Sequence, residues 1–261
     1  MERRGPLYII PWRITSACDS SCLYCASANK PPASDELNTN EALHLVDQIY
    51  DFGASWLGIS GGEPLLRRDL FEIIRYAKKI GLNVSIITNG RYLDGKIFDE
   101  IVKNEVHVSV GIDGTETTND LIRGKGAYAD AVSAIEKLSR ERLLNCLVYT
   151  FVNINESATN VNVNDITHVL DLAAKYGARW VIYHSFIPYS KDKNTLKADP
   201  SPQQYEWAGT SFMIYVQFTR ENQKSMFIVP SSPVWQNKED YPTSATGLTI
   251  SFSAVASSEN S

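Results

Sequence analysis

The chain has 261 residues, enough for one domain with a full hydrophobic core. Its residues are 43% hydrophobic and 21% charged, as in ordinary globular proteins. The net charge of −5 argues against a large basic face, so we expect no nucleic acid partner. No apolar run approaches the ~18 residues of a membrane span, so no membrane is expected either. The first residues lead into a short strand instead of a long apolar segment, which predicts a cytoplasmic protein without a signal peptide.

Apolar strand-like runs alternate with helix-like periodicity along the chain, a pattern that predicts a parallel α/β sheet. Six strands are expected, at Tyr8–Ile14, Trp56–Ser60, Val84–Ile87, Val106–Ile112, Leu147–Val152 and Trp180–Ile187. Helices are expected between them, from about Asn40 to Gly53, from an Asp69 cap to Gly81, from Asp94 through Ile101, over Ala127–Leu138, and through Ile166 to Gly177. Six β-α units in series predict a partial (β/α)6 TIM-like barrel with parallel strands.

This core domain is expected to cover residues 1–230, including a less regular helical stretch that begins at Ser201-Pro202. Residues 231–261 are rich in serine and threonine. From Thr243 to Ser261, nine of the nineteen residues are Ser or Thr and none is Lys or Arg. Such a composition is typical of a poorly ordered tail.

Three of the four cysteines lie within eight residues, in Cys18-Asp-Ser-Ser-Cys22-Leu-Tyr-Cys25, directly after the first predicted strand. Thiolates grouped this closely on one loop can converge on one metal centre. A [4Fe–4S] cluster normally takes four cysteines, so three leave one iron open for an exogenous ligand. A zinc site would want a fourth Cys or His, and the nearest histidine, His44, lies in a helical pattern. Disulfides would leave an odd cysteine and imply secretion.

The spacing Cys18-x3-Cys22-x2-Cys25, with the aromatic Tyr24 before the third cysteine, resembles the cluster loop of radical SAM enzymes. In that family the open iron is chelated by S-adenosylmethionine (SAM), whose reductive cleavage gives a 5′-deoxyadenosyl radical that abstracts hydrogen from a substrate. The resemblance implies a [4Fe–4S] cluster on these three catalytic cysteines, SAM as a second cofactor, and an external electron donor such as flavodoxin or ferredoxin. The remaining cysteine, Cys146, is interpreted as a small buried hydrophobe.

Three further motifs fall just beyond the ends of the second, third and fourth predicted strands. They are Gly61-Gly62-Glu63-Pro64, Thr88-Asn89-Gly90 and Asp113-Gly114. Each could be an ordinary turn by itself. In (β/α) barrels, however, the loops that follow the strands converge on the active site. Since the cysteine loop also follows a strand, four segments predict one site on one rim.

The resemblance also implies roles for residues on this rim. In radical SAM enzymes the segment that matches Gly61-Gly62-Glu63-Pro64 hydrogen-bonds the SAM amino group, and Glu63 can accept from an ammonium. Gly111-Ile112-Asp113-Gly114 resembles the family's Ser-x-Asp-Gly, in which the serine commonly contacts the ribose. Because that position is Gly111 here, Asp113 or a water is expected to take over the contact. Arg123 matches an arginine that some relatives aim at the SAM carboxylate, although a lone arginine is otherwise a solvated charge. Asn89 is expected on the same rim.

The match runs from about Tyr8 to Ile187 and is nearest to the subgroup that modifies peptides or builds cofactors, which predicts a peptide or small-molecule substrate. Those relatives usually continue into a cysteine-rich C-terminal extension, SPASM or the shorter twitch, and no cysteine follows Cys146. Two function classes therefore stay open. One is a radical SAM enzyme, and the other is a non-catalytic or truncated cluster-binding barrel that acts as a partner protein. His184, on the sixth strand, fits either a substrate cavity or the core.

Overall fold

The computed structural model describes residues 8–153, 165–186 and 227–230. Seven strands form one sheet in the order of the sequence, and every neighbouring pair is parallel. The strands are β1 (Ile9–Thr15), β2 (Trp56–Gly61), β3 (Asn83–Thr88), β4 (His107–Gly111), β5 (Leu144–Phe151), β6 (Trp180–Ser185) and β7 (Phe227–Pro230). The helices of these ranges are α1 (Thr39–Asp51), α2 (Leu70–Lys79), α3 (Gly95–Lys103), α4 (Glu116–Arg123), α5 (Ala127–Arg140) and α6 (Ile166–Tyr176). The predicted partial parallel barrel is confirmed.

The core lies between the sheet and the helices that connect its strands. Each helix buries one apolar stripe, and α2 does so with the four residues expected from its periodicity, Leu70, Ile73, Ile74 and Ala77. Strands β4 and β5 are buried on both faces, as is usual in parallel sheets. Among the helices of the described ranges, none has the length and hydrophobicity that crossing a bilayer requires.

The first two helices start within one residue of the predictions, but the cap of the second is made differently. Helix α1 begins at Thr39, where Asn38 caps the helix and exchanges hydrogen bonds with Glu41 in a capping box. Asp69 stands at the start of α2, but its side chain makes no capping bond. Its carboxylate instead accepts from Arg67 Nε at 2.7 Å and from the Thr39 hydroxyl at 2.8 Å. The Asp69 side-chain cap was therefore a wrong prediction, since a neighbouring arginine competes for the carboxylate.

Strand boundaries shift by a few residues, and one shift changes the place of Cys146. Strand β5 begins at Leu144, so Cys146 lies inside the strand and not before it. The thiol is fully buried, as predicted, and donates to Ser109 Oγ of β4 at 2.9 Å. Strand β7 was not predicted at all. The expected helical stretch from Ser201 and the expected tail over 231–261 lie outside the described residues.

Helix α4 was missed because it is short and polar. Only two residues of Glu116–Arg123 are buried, Asn119 and Ile122, so the segment lacks the wide apolar stripe from which a helix is recognised. The helix ends at Arg123, directly before a glycine with φ of 105°. Its position matters because it brings Arg123 to the carboxyl ends of the strands.

Candidate active site

The three grouped cysteines lie on the loop between β1 and α1, at the carboxyl end of β1. All three are free thiols and half-buried. The loop folds back on itself through backbone hydrogen bonds, since the Cys18 amide donates to the Lys30 carbonyl at 2.9 Å and the Cys25 amide to the Cys22 carbonyl at 3.1 Å. The Ser27 amide also points at Cys25 Sγ, at 3.4 Å. These contacts hold the thiols on one short turn of chain.

The cysteine thiols are the candidate metal ligands of this loop. In the part of the chain that the structure describes, no three His, Cys, Asp or Glu side chains converge closely enough to hold one metal ion. The thiols still affect one another: burial raises the pKa of Cys22 to about 11, and the charges of Cys25 and Cys18 add to this. A tetrahedral zinc draws its ligands together at ≈ 2.3 Å from one atom, whereas the ligands of a cubane bind different irons and stand apart. Three free cysteines on one loop are a donor set that an iron–sulfur cluster could use.

Two side chains from the loop after β3 hold Asp19, the residue that follows Cys18. The Asp19 carboxylate accepts from Arg91 Nη1 at 3.0 Å and from the Tyr92 hydroxyl. Burial works against the charged form of Asp19, but the hydrogen bonds from Tyr92 and Arg91 outweigh it and lower the pKa of the carboxyl. Arg91 also binds Asp130 at 3.2 Å. Sequence reasoning missed these contacts, although both donors directly follow the Thr-Asn-Gly motif.

Gly61 and Gly62 let two segments of backbone approach each other. A Cβ on Gly61 would lie 2.3 Å from the Thr15 carbonyl oxygen, and one on Gly62 would lie 2.2 Å from the Ala17 carbonyl oxygen. Gly61 also has a φ of 140°, which side chains rarely adopt. The loop after β2 thereby packs against the residues that lead into Cys18. This loop carries Glu63, whose amide donates to the Ala17 carbonyl at 2.7 Å.

Glu63 is a buried anion that faces three donors. Its side chain is 1% exposed. Oε1 accepts from the Thr88 hydroxyl at 2.8 Å and the Leu65 amide at 3.1 Å, and Oε2 accepts from the Asn89 amide at 2.8 Å. Burial raises the pKa of Glu63 to about 7, and these hydrogen bonds limit the rise.

Asn89 joins Glu63 to the cysteine loop. Besides its amide contact with Glu63, its side-chain Nδ2 donates to Ser20 Oγ at 2.9 Å, and its Oδ1 accepts from the Arg91 amide at 2.9 Å. The motifs after β1, β2 and β3 are thus in direct contact. These three loops meet on one rim, as the sequence predicted.

Arg123, Asp113 and Tyr24 form a buried group that we call the Asp113 network. Arg123 Nε donates to Asp113 Oδ2 at 2.6 Å, Arg123 Nη2 donates to the Tyr24 hydroxyl at 2.7 Å, and that hydroxyl donates to Asp113 Oδ2 at 2.9 Å. The Thr150 amide of β5 donates to Asp113 Oδ1 at 2.7 Å. Burial opposes the charge on Arg123, but the Asp113 carboxylate outweighs it and raises the pKa of the guanidinium.

His184 belongs to the surroundings of this network. It stands opposite Thr150 in the register of β5 and β6. Burial lowers the pKa of His184, while the charges of Asp113 and Arg123 act on it in opposite directions. His184 is thus the strand neighbour of the residue whose amide donates to Asp113.

A narrow cavity of about 10 Å³ marks the meeting point of these groups. It is lined by Ser20, Cys22, Asn89, Arg91, Arg123, Ala127 and Asp130. A larger, open cavity of about 430 Å³ lies at the other end of the sheet, by Asn83 and His107 at the starts of β3 and β4. The narrow cavity marks the candidate site, because it lies at the carboxyl ends of the strands, where the loops with the predicted site residues converge.

Comparison with known proteins identifies the family. Residues 12–182 match the model of the Radical SAM superfamily. The chain belongs to this superfamily. It is 36% identical over 203 residues to the AdoMet-dependent heme synthase of Methanosarcina barkeri, covering 76% of this chain and 55% of the relative. It is 30% identical over 171 residues to the mycofactocin maturase MftC of Mycolicibacterium smegmatis, covering 65% of this chain and 42% of the relative. The chain thus spans about half the length of these radical SAM relatives.

Solved structures of radical SAM proteins show the same fold. Streptococcus suis SuiB, in a crystal structure with S-adenosylmethionine bound, superposes with a TM-score of 0.70 at 12% identity, over 88% of this chain and 51% of SuiB. Native anSMEcpe with bound AdoMet gives a TM-score of 0.70 at 15% identity, over 85% of this chain and 64% of that one. At such identities the likeness establishes the radical SAM partial barrel.

The buried Glu63 predicts a pH dependence of stability. Its folded pKa of about 7 lies above the ordinary value of 4.5, so between these values the folded chain holds a proton that the unfolded chain has released. The free energy of unfolding should therefore fall as the pH rises from 4.5 to 7 and then level off, by up to ~3 kcal/mol relative to Glu63→Gln. Urea unfolding of both proteins from pH 4.5 to 8 measures this. A stability difference that does not change with pH would contradict it.

Proposed function

We propose that this chain is a radical SAM enzyme that binds a [4Fe–4S] cluster through Cys18, Cys22 and Cys25 and binds SAM beside it. Once bound and reduced, these cofactors supply a 5′-deoxyadenosyl radical that abstracts hydrogen from the substrate. The observation that carries the proposal is the meeting of three free thiols with a buried anion, Glu63, and a buried cation, Arg123, on one rim. The methionyl end of SAM is a zwitterion, which needs one site of each sign.

Glu63 is suited to hold the SAM ammonium. A carboxylate offers about four lone-pair positions, and three are taken by the Thr88 hydroxyl and the amides of Leu65 and Asn89. Among the described residues this leaves one position for a cation. Because the carboxylate is shielded from water, a charge-assisted hydrogen bond there is stronger than at the surface. A bound ammonium would also hold Glu63 in its ionised form.

Arg123 is suited to hold the SAM carboxylate. Its guanidinium has five N–H groups, of which one binds Asp113 and one binds Tyr24. Within the described ranges the other N–H groups have no protein acceptor, although the side chain is only 10% exposed. Arg123 lines the narrow cavity beside Cys22. A carboxylate there could accept charge-assisted hydrogen bonds from these N–H groups.

The remaining rim residues are proposed to shape the SAM pocket. Gly61, Gly62 and Asn89 connect Glu63 to the cysteine loop. For Asp113 we propose a role other than the ribose contact that the sequence led us to expect. Since its oxygens already accept from Arg123, Tyr24 and the Thr150 amide, we assign Asp113 to the orientation of Arg123.

The substrate class is proposed from the relatives. They include maturases, such as the sporulation killing factor maturation protein SkfB of Bacillus subtilis, and synthases of heme-type cofactors, and SuiB has been crystallised with its precursor peptide SuiA. We therefore propose a peptide or a small cofactor precursor as substrate. The electron that reduces the cluster would come from an external donor such as flavodoxin or ferredoxin.

The cluster assignment predicts a specific pattern of iron loss. After anaerobic reconstitution the chain should carry about four irons, because it offers ligands for one cubane. Single Ala substitutions of Cys18, Cys22 or Cys25 should each abolish the cluster absorbance. Cys146→Ala is the matched control and should keep it, since that thiol is buried in β5. Stoichiometric zinc without iron–sulfur absorbance would refute the assignment, and eight or more irons would reveal auxiliary clusters.

The SAM assignment predicts two variants that bind SAM weakly once their cluster is loaded. Arg123→Ala and Glu63→Gln each remove one charge-assisted contact, worth ~1.5–3 kcal/mol, so SAM should bind about tenfold more weakly or worse. Titration calorimetry on the cluster-loaded proteins measures the affinity. Lys125→Ala, which removes an exposed cation two residues from Arg123, is the control and should bind as the wild type does. Wild-type affinity in both charge variants would show that these residues do not contact SAM.

A further inference from the structure

Gly111, the last residue of β4, lies directly beneath the Arg123 guanidinium. A Cβ at this position would be 2.5 Å from Nη1, 2.8 Å from Nη2 and 2.9 Å from Cζ of Arg123. Real Cβ atoms essentially never approach other heavy atoms so closely. The backbone itself does not require a glycine, since Gly111 is not among the residues with positive φ. The three heavy atoms nearest to such a Cβ all belong to the Arg123 guanidinium.

A long side chain can usually move out of the way, but Arg123 is fixed. Its Nε and Nη2 are held by Asp113 and by the Tyr24 hydroxyl at 2.6 and 2.7 Å. Only 10% of the side chain is exposed, and its Cζ lies 5.8 Å from the centre of the Tyr24 ring. A methyl group on residue 111 would push the guanidinium away from one or both acceptors. An arginine displaced in this way would be a buried charge with incomplete hydrogen bonding.

A displacement of Arg123 would affect the cysteine loop, because Tyr24, to which Arg123 donates, lies between Cys22 and Cys25. The same stretch of loop is tied to α4 by a second bond, from the Leu23 amide to the Ile122 carbonyl at 2.9 Å. Both links end on neighbouring residues of α4, Ile122 and Arg123. A shift of Arg123 would therefore loosen the loop at the residues between the second and third cysteines.

We propose that Gly111 is a positioning residue whose missing side chain seats Arg123 against β4, so that Arg123 fixes the cysteine loop through Tyr24. The part that concerns the loop depends only on contacts within the chain. The part that concerns SAM rests on the proposed function, because a displaced Arg123 could not meet the SAM carboxylate.

Hydrogen exchange on the full chain without added SAM tests the first part. Gly111→Ala should speed exchange of the Leu23 and Cys25 amides about tenfold, because their segment is no longer anchored. The matched control is Gly58→Ala in β2, where a Cβ would find ordinary contacts at 3.5 Å and beyond and exchange should not change. Wild-type exchange of these amides in Gly111→Ala would overturn the proposal.

A double variant separates positioning from a merely structural role. In an Arg123→Ala background the collision no longer exists, so adding Gly111→Ala should change neither loop exchange nor thermal unfolding. If Gly111→Ala alone does not fold, the double variant should fold and resemble Arg123→Ala. A further loosening or a failure to fold in the double variant would show that Gly111 acts through something else and would overturn the proposal.

SAM affinity of the cluster-loaded proteins tests the second part. Gly111→Ala should bind SAM about tenfold more weakly than the wild type, and no more weakly than Arg123→Ala does. Equal affinity for Gly111→Ala and the wild type would overturn this part. If the wild type itself bound no SAM, the proposed function would fail, while the exchange experiment would still decide whether Gly111 positions Arg123 and the loop.

Discussion

The buried ion pair between Arg123 and Asp113 joins the parts of the site. Through it and its direct hydrogen bonds, helix α4, the end of β4, strand β5 and the cysteine loop are held together. Charges removed from water are costly unless their partners and hydrogen bonds are well placed, and breaking one partner leaves an uncompensated charge. Here Asp113 receives donors from three segments. The geometry of the rim therefore depends on this one pair.

The site combines this cation with the carboxyl group of Glu63, which has no counter-ion among the described residues. Glu63 is surrounded by neutral donors, and burial brings its pKa to about 7. Arg123 keeps N–H groups that no acceptor of the described residues occupies, beside a cavity that also borders Cys22. Both groups are held in place before a ligand arrives, so a zwitterion would find an organised site with little loss of conformational entropy on binding. Such preorganisation is what a pocket for the methionyl group requires.

Much of this site could be predicted from local sequence features. The apolar runs of period two and 3.6 fixed the order of strands and helices, and the motifs after four strands then had to meet at their carboxyl ends. Cys18, Cys22, Cys25 and Glu63 lie on these motifs, whereas Arg123 was proposed as a site residue only from the family resemblance. The burial of Cys146 also followed from its residue type and position.

What escaped prediction depends on contacts between residues far apart in the chain. Arg123 and Tyr24 are 99 residues apart, and Arg91 and Asp19 are 72 apart, so no periodicity reveals either contact. Gly111 stands where the family's Ser-x-Asp-Gly motif has its serine. The role proposed for it follows only from the Arg123 guanidinium that lies above it. Asp69 has the residue type of a cap, but Arg67 is close enough to take its carboxylate. Tertiary contacts decided each of these cases.

Formation of 5′-deoxyadenosine is the most direct test of the central claim. The reconstituted chain should be incubated anaerobically with SAM and dithionite, and the products followed by liquid chromatography and mass spectrometry. Equal amounts of 5′-deoxyadenosine and methionine should accumulate slowly even without substrate. A protein that carries its cluster and binds SAM but forms no 5′-deoxyadenosine would contradict the assignment and point to a non-catalytic, cluster-binding barrel.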